Sequence, residues 1–157
     1  MKAAVLRGPQ DIRAESVVDP EVETSGIIIR VKACGVCGSD LHVYKEEGHE
    51  GTIFGHEFSG DVVEVGPGVS DIRVGERVTA VGFRPCGQCF WCRQGKFHRC
   101  SDMALLGYQM PGAIDLIKSG KVNTRPFVTH RFSLDDAGEA FRVQLKDPDA
   151  IKVMILP

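Results

Sequence analysis

A chain of 157 residues, 43% hydrophobic and 25% charged, has the composition of one globular domain with room for an attached lobe. Its formal net charge of −2 gives no basic footprint for nucleic acid, and no apolar run approaches the roughly 20 residues of a membrane-spanning helix. The opening MKAAVLRGPQ is too short and too polar for a signal peptide, so a reducing, cytoplasmic compartment is expected.

The first two thirds read as β structure. Lys2–Leu6 and Ile27–Ala33 are short runs rich in Ala, Val and Ile, bounded by Gly8-Pro9 and by Ser25-Gly26. Phe58–Val65 alternates around Gly60 and stops at the turn signal Gly66-Pro67-Gly68. Val74–Val81 predicts the next strand, with Gly75-Glu76 opening it. Gly and Pro recur at close intervals and helical periodicity is weak, which is the texture of a small barrel or folded sheet. Residues 85–100 form a separate loop with little apolar periodicity, long enough to need its own support. The last third changes character. Ala113–Ser119 predicts a short helix ending at Gly120. Ser133-Leu134-Asp135-Asp136 has the form of a capping box with Asp in place of Glu, and Ala137, Ala140, Phe141 and Gln144 follow at helical spacing. Ile151–Leu156 predicts a closing strand.

The loop carries the strongest motif. Cys86, Cys89, Cys92 and Cys100 read C-x2-C-x2-C-x7-C within PCGQCFWCRQGKFHRC. Four thiolates this close in sequence can enclose one zinc ion tetrahedrally and leave no open position, the arrangement of a structural site. Two-residue spacings favour metal over disulfides, and the C-x3-C-P ending of bacterial iron–sulfur ferredoxins is absent. Trp91, between two of these cysteines, reads as a packing residue.

A second constellation lies upstream. Cys37 sits in CGVCGSDLH and His56 in FGHEF; a thiolate and an imidazole are ligands that suit a catalytic zinc with one open position. Ser39 and His42 follow Cys37 at two and five residues, where a hydroxyl could take a proton from a metal-bound alcohol and a histidine pass it towards water. Glu57 adjoins His56 and could support the site or reach the metal. Taken singly these residues have ordinary structural readings, as a small core cysteine or a surface histidine. Cys34 is expected to be structural, and His49, His98 and His130 are expected to be surface or packing residues.

The segments GVCGSDLH, GHEFSGDVVEVG, VGERVTAV and CGQCFWCRQGKFHRC, in that order, resemble the zinc-dependent medium-chain dehydrogenases, in particular the alcohol, sorbitol and threonine dehydrogenase branch. The resemblance implies a mainly β catalytic domain with a few helices, a GroES-like and partly open barrel bearing a zinc lobe. It implies that Cys37 and His56 match the catalytic zinc ligands, Glu57 the adjacent glutamate, Ser39 and His42 the proton relay, and Cys86, Cys89, Cys92 and Cys100 the structural zinc ligands. In the intact family, hydride passes from the zinc-bound alcohol to NAD or NADP.

The nucleotide-binding part of that family is expected to be absent from these 157 residues. The nearest approach to its glycine-rich fingerprint, Val65-Gly66-Pro67-Gly68-Val69, lacks the third glycine and any βαβ context. LLGYQMPGA resembles a segment that precedes the nucleotide-binding domain, and IDLIKSGKVNTRPFVTHRFSLDDAGEAF one that follows it, so a junction is expected near Ala113–Ile114. The expectation is one catalytic domain over residues 1–157, with zinc held firmly in the lobe and incompletely at Cys37 and His56. It should bind no NAD(P), show little or no dehydrogenase activity alone, and expose an apolar former interface that favours a homo-oligomer. A zinc-stabilised interaction module, or a residual zinc enzyme served by a cofactor domain in trans, are the alternatives.

Overall fold

Short β-branched runs cut by glycine and proline turns form the strands of this molecule. The structure, a computed structural model, describes residues 1–79, 83–105 and 117–157. Strands β1 (Lys2–Gly8) and β2 (Asp11–Ser16) form an antiparallel hairpin, turned through Gln10 at a φ of 61°. Arg7 and Glu15 pair across it. Strand β3 (Ile27–Gly35) pairs antiparallel with β4 (Glu57–Val65), and β4 with the short β5 (Arg77–Thr79). Near the C-terminus, β8 (Val128–Ser133) runs parallel to β9 (Lys152–Leu156), which joins β3 through Cys34 and Gly35. The resulting five-stranded sheet has the order β5-β4-β3-β9-β8.

Two register shifts bend β3 against β4, between Ile28 and Ile29 and between Val31 and Ala33. Gly60 faces the second. A Cβ there would lie 2.2 Å from the Arg30 carbonyl oxygen, so the close approach of the two backbones requires glycine.

Helix α1 (Gly38–Lys45) follows β3 directly, and α3 (Ala137–Lys146) connects β8 to β9. The short α2 (Phe90–Arg93) lies in the cysteine loop. Helix α3 buries Ala137, Ala140 and Phe141, the face expected from their spacing. The Phe141 ring lies 5.2 Å from Tyr44 and 5.0 Å from Phe54, closing a core with Leu6, Ile12, Val36, Val153 and Ile155. Full burial of one such ring contributes about 1.5–3 kcal/mol. Gln144, the polar member of the face, accepts the Val153 N–H at 2.9 Å. Ser133 accepts the Asp136 N–H at 3.3 Å, but Asp136 bonds back to the Ser133 hydroxyl, so only half of a capping box forms, ahead of the 3-10 turn Leu134–Asp136.

The expected mainly β, partly open architecture is present. Among the described residues, the β1–β2 hairpin shares no ladder with the five-stranded sheet, and the barrel stays unclosed around an apolar cavity of ≈ 940 Å³. Three differences have local causes. The strand expected from Val74 begins at Arg77, because Gly75 (φ 91°) belongs to the preceding turn and donates its N–H to the Val62 carbonyl. Strands β2 and β8 carry too many charged and polar residues to read as strands. Helix α1 is short and buries only Asp40 and Tyr44. The expected junction near Ala113–Ile114 and most of the helix expected over Ala113–Ser119 lie outside the described residues.

Candidate metal centres

The cysteine loop is clamped at its base by β6 (Phe83–Arg84) paired with β7 (Ala104–Leu105). Between them the chain turns through Gly87 and Gly95, both at positive φ, around α2 and the 3-10 turn Phe97–Arg99. These turns bring the sulfurs of Cys86, Cys89, Cys92 and Cys100 within 4.8 Å of one another. Cys86 Sγ and Cys92 Sγ are 3.9 Å apart, far from the roughly 2.05 Å of a disulfide. A tetrahedron with zinc–sulfur bonds of about 2.3 Å has edges of about 3.8 Å. Backbone N–H groups already point at the sulfurs. Cys89 N donates to Cys86 Sγ at 3.3 Å, and Cys86 N and Asp102 N donate to Cys100 Sγ at 3.2 and 3.4 Å.

The thiols do not share one acidity. Backbone N–H groups of Cys92 and Ser101 pull the Cys89 thiol down to about 5. Burial, and then hydrogen bonds shared with the neighbouring thiols, push Cys92 up to about 12. Four sulfurs gathered this closely can all become thiolates only with a cation to offset their charge, so the donor set fits a zinc ion. Trp91 is a packing residue, as expected. Phe90 meets it edge-on at 5.1 Å, and the Arg99 guanidinium lies 5.1 Å from its ring centre.

The second group is assembled from separate elements. Cys37 caps α1, while His56 and Glu57 stand at the start of β4. Their ligand atoms also lie within 4.8 Å of one another, so the residues paired by sequence are brought together. Ser39 Oγ donates to Cys37 Sγ at 3.2 Å and lies 3.5 Å from His56 Nε2. His42 is exposed one turn later on α1, with no hydrogen bond to Ser39 among the described residues. Cys34 stands apart, its thiol pushed up to about 11 by burial, in keeping with a structural residue. His49 and His130 pair with Glu46 and Asp147, and His98 is exposed.

Two participants were not anticipated. Asp40, only 6% exposed, accepts the Cys37 N–H at 2.9 Å and faces His56 Nδ1 at 3.2 Å. It anchors both candidate ligands and leaves His56 Nε2 to face the cluster. Burial raises its carboxyl pKa, against the backbone hydrogen bond from Cys37 and the charge of His56. Its position three residues after a helix N-cap was the available signal. Lys152, on β9, donates to Glu57 Oε2 at 2.7 Å and to the Val36 carbonyl at 3.0 Å. Burial alone would raise the Glu57 carboxyl, but the Lys152 ammonium outweighs it and holds that carboxyl below its ordinary range. No local pattern pointed to Lys152, which is 95 positions away.

The alcohol dehydrogenase GroES-like domain model matches residues 23–124, most of the chain and both cysteine-bearing groups. The chain belongs to that family. A zinc-type alcohol dehydrogenase B of Aspergillus flavus is 39% identical over 110 residues, covering 68% of this chain and 26% of the relative. An L-threonine 3-dehydrogenase of Cutibacterium acnes is 37% identical over 120 residues, covering 72% of this chain and 35% of the relative. The chain thus spans about a quarter to a third of the length of these relatives. Among solved structures, an alcohol dehydrogenase of Thermus sp. ATN1 shares the fold, with a TM-score of 0.86 at 13% identity over 99% of each chain. This family membership supports a domain of the zinc-dependent, alcohol dehydrogenase-like oxidoreductases. No helix among the described residues is long and apolar enough to cross a membrane.

Proposed function

We propose that residues 1–157 form one catalytic domain of a zinc-dependent, alcohol dehydrogenase-like oxidoreductase that lacks its nucleotide-binding domain and retains zinc. On this reading the junction lies near Ala113–Ile114, and the chain alone has little or no dehydrogenase activity. The observation that carries the proposal is the co-existence of two ligand clusters, one of four sulfurs and one of sulfur, imidazole and carboxylate. Cys86, Cys89, Cys92 and Cys100 would hold the structural zinc, and Cys37, His56 and Glu57 the catalytic-type zinc.

When bound at the second cluster, zinc supplies Lewis acidity towards an oxygen ligand. The chain's own residues prepare the rest. Ser39 Oγ sits between Cys37 Sγ and His56 Nε2, where it can take a proton from an alcohol. His42, exposed one turn further on, can receive that proton through water and release it to solvent. Asp40 keeps His56 in the orientation that the cluster needs. A nicotinamide must be presented by another domain before hydride can leave the alcohol carbon.

Metal analysis of protein purified without added zinc tests the first half, and about one equivalent per chain is expected from the lobe. Less than about half an equivalent overturns the structural site. Titration with NADH, followed by nicotinamide fluorescence in the presence of alcohols and polyols, tests the second. Saturable binding with turnover overturns the inactive-domain reading. Self-association is expected through the former domain interface, and the chain does leave large apolar side chains in solvent, among them Phe127 and Ile151. Light scattering showing a monomer at high concentration counts against it. The free thiols suit the reducing cytoplasm.

A further inference from the structure

We propose that the unclosed barrel is a ligand site in its own right, which takes the alkyl chain of a monomeric fatty carboxylate into its apolar cavity and the carboxylate onto Arg30. The site is separate from both candidate metal centres. Cys37, Ser39, His56 and Glu57 are absent from the cavity lining, as are the four lobe cysteines.

The opening follows from the topology. The β1–β2 hairpin shares no ladder with the five-stranded sheet, and residues of β1, β3 and β4 line the space left between them. A volume of ≈ 940 Å³ stands at the upper end of the roughly 300–1,000 Å³ usual for small-molecule pockets. Ile28, Ile29, Val31, Phe58 and Val63 line it and stay only half-buried. An alkyl chain laid over them takes apolar surface out of water on both sides. Among the described residues no buried side-chain nitrogen or oxygen lacks a hydrogen-bond partner, so the interior holds nothing to orient a sugar or another polar body. The body of the ligand is therefore apolar.

The charges on the lining select its head. Lys2 pairs with Asp135 at 2.9 Å, Asp19 with the N-terminal amine, and Asp40 with the Cys37 N–H and His56. Arg30 is exposed, and it is the one charged lining side chain with no ion-pair partner among the described residues. A guanidinium where the cavity meets solvent offers two parallel donors to a carboxylate and nothing to a neutral or cationic head.

The test titrates the zinc-loaded protein with dodecanoate below its micelle concentration by calorimetry, with light scattering alongside and dodecanol as the neutral probe. One equivalent of dodecanoate per chain is expected. Arg30→Gln, a change at an exposed position, should weaken dodecanoate about tenfold and leave dodecanol unchanged, with lobe zinc and the denaturation midpoint near those of the parent. Val31→Trp, which fills part of the cavity, should weaken both probes, and the same zinc and denaturation measurements show whether it has folded. Absence of saturable dodecanoate binding by the parent overturns the proposal, and so does equal dodecanoate affinity in Arg30→Gln. A dimer that dodecanoate neither binds nor dissociates assigns the cavity to a second copy and overturns it as well.

Discussion

The cysteine lobe and the Cys37–His56–Glu57 group use similar chemistry but are built in opposite ways. The lobe takes its four donors from positions 86–100 of one loop, held by local turns and a two-strand clamp. The other group draws on the β3–α1 junction and the start of β4, is oriented by Asp40 of α1, and is restrained by Lys152 of β9. A local site needs only its own segment and its ion to form. A composite site needs the sheet to form first.

Independent assembly is most exposed to test at the lobe. Cys92→Ser removes a buried sulfur, and structural zinc sites are worth about 10–16 kcal/mol in small zinc-binding peptides. The lobe is expected to lose its metal and become protease-sensitive between residues 85 and 100, while the five-stranded sheet persists. Limited proteolysis with mass spectrometry and zinc analysis reads both effects. Global unfolding of this variant would show that the lobe is not independent.

The converse change is Phe141→Ala, which opens a cavity between Tyr44 and Phe54 and should cost about 3–5 kcal/mol of domain stability. Chemical denaturation should show the loss while zinc in the lobe remains near one equivalent below the transition. Loss of lobe zinc in step with the core would show that the two regions fold as one unit.

Asp40→Asn sharpens the contrast at the second site. It keeps the shape but weakens the acceptor facing His56 Nδ1, and about 10–100-fold weaker Co(II) binding at that site is expected, with lobe zinc unaffected. Equilibrium dialysis of both metals separates the two.

The smallest effect lies far from both sites. The hydrogen bond from Arg7, followed by its charge, lowers the Glu15 pKa in the hairpin from 4.5. The stabilisation is therefore full above the ordinary glutamate range and is lost as pH falls through the lowered value. Glu15→Gln should flatten the acid limb of a stability–pH curve slightly and leave metal binding unchanged. A steeper acid limb would reverse the sign assigned to this pair.

Legibility followed sequence distance. The lobe was readable because its four cysteines repeat at short spacings, and the α3 face because Ala137, Ala140 and Phe141 recur at helical period. Strands β1, β3, β4 and β9 were readable from aliphatic runs, whereas β2 (DIRAES) and β8 (VTHRFS) were hidden by their polar residues. Helix α1 was hidden by its length and its leading glycine. Cys37, Ser39, His56 and Glu57 were named from motifs, and the geometry that joins them came only with the register of β3 against β4.

By itself the sequence determined the family, the mainly β class and the composition of both candidate ligand groups, because these depend on residue identity and on spacing within short segments. The tertiary structure decided that Asp40 orients His56, that Ser39 contacts Cys37 and His56 rather than His42, and that Lys152 reaches Glu57 across 95 positions. The first two sets of contacts arise where β3 and the start of β4 are brought into register beside α1, and the last where β9 is laid beside β3. No periodicity along the chain encodes which side chains that pairing brings together.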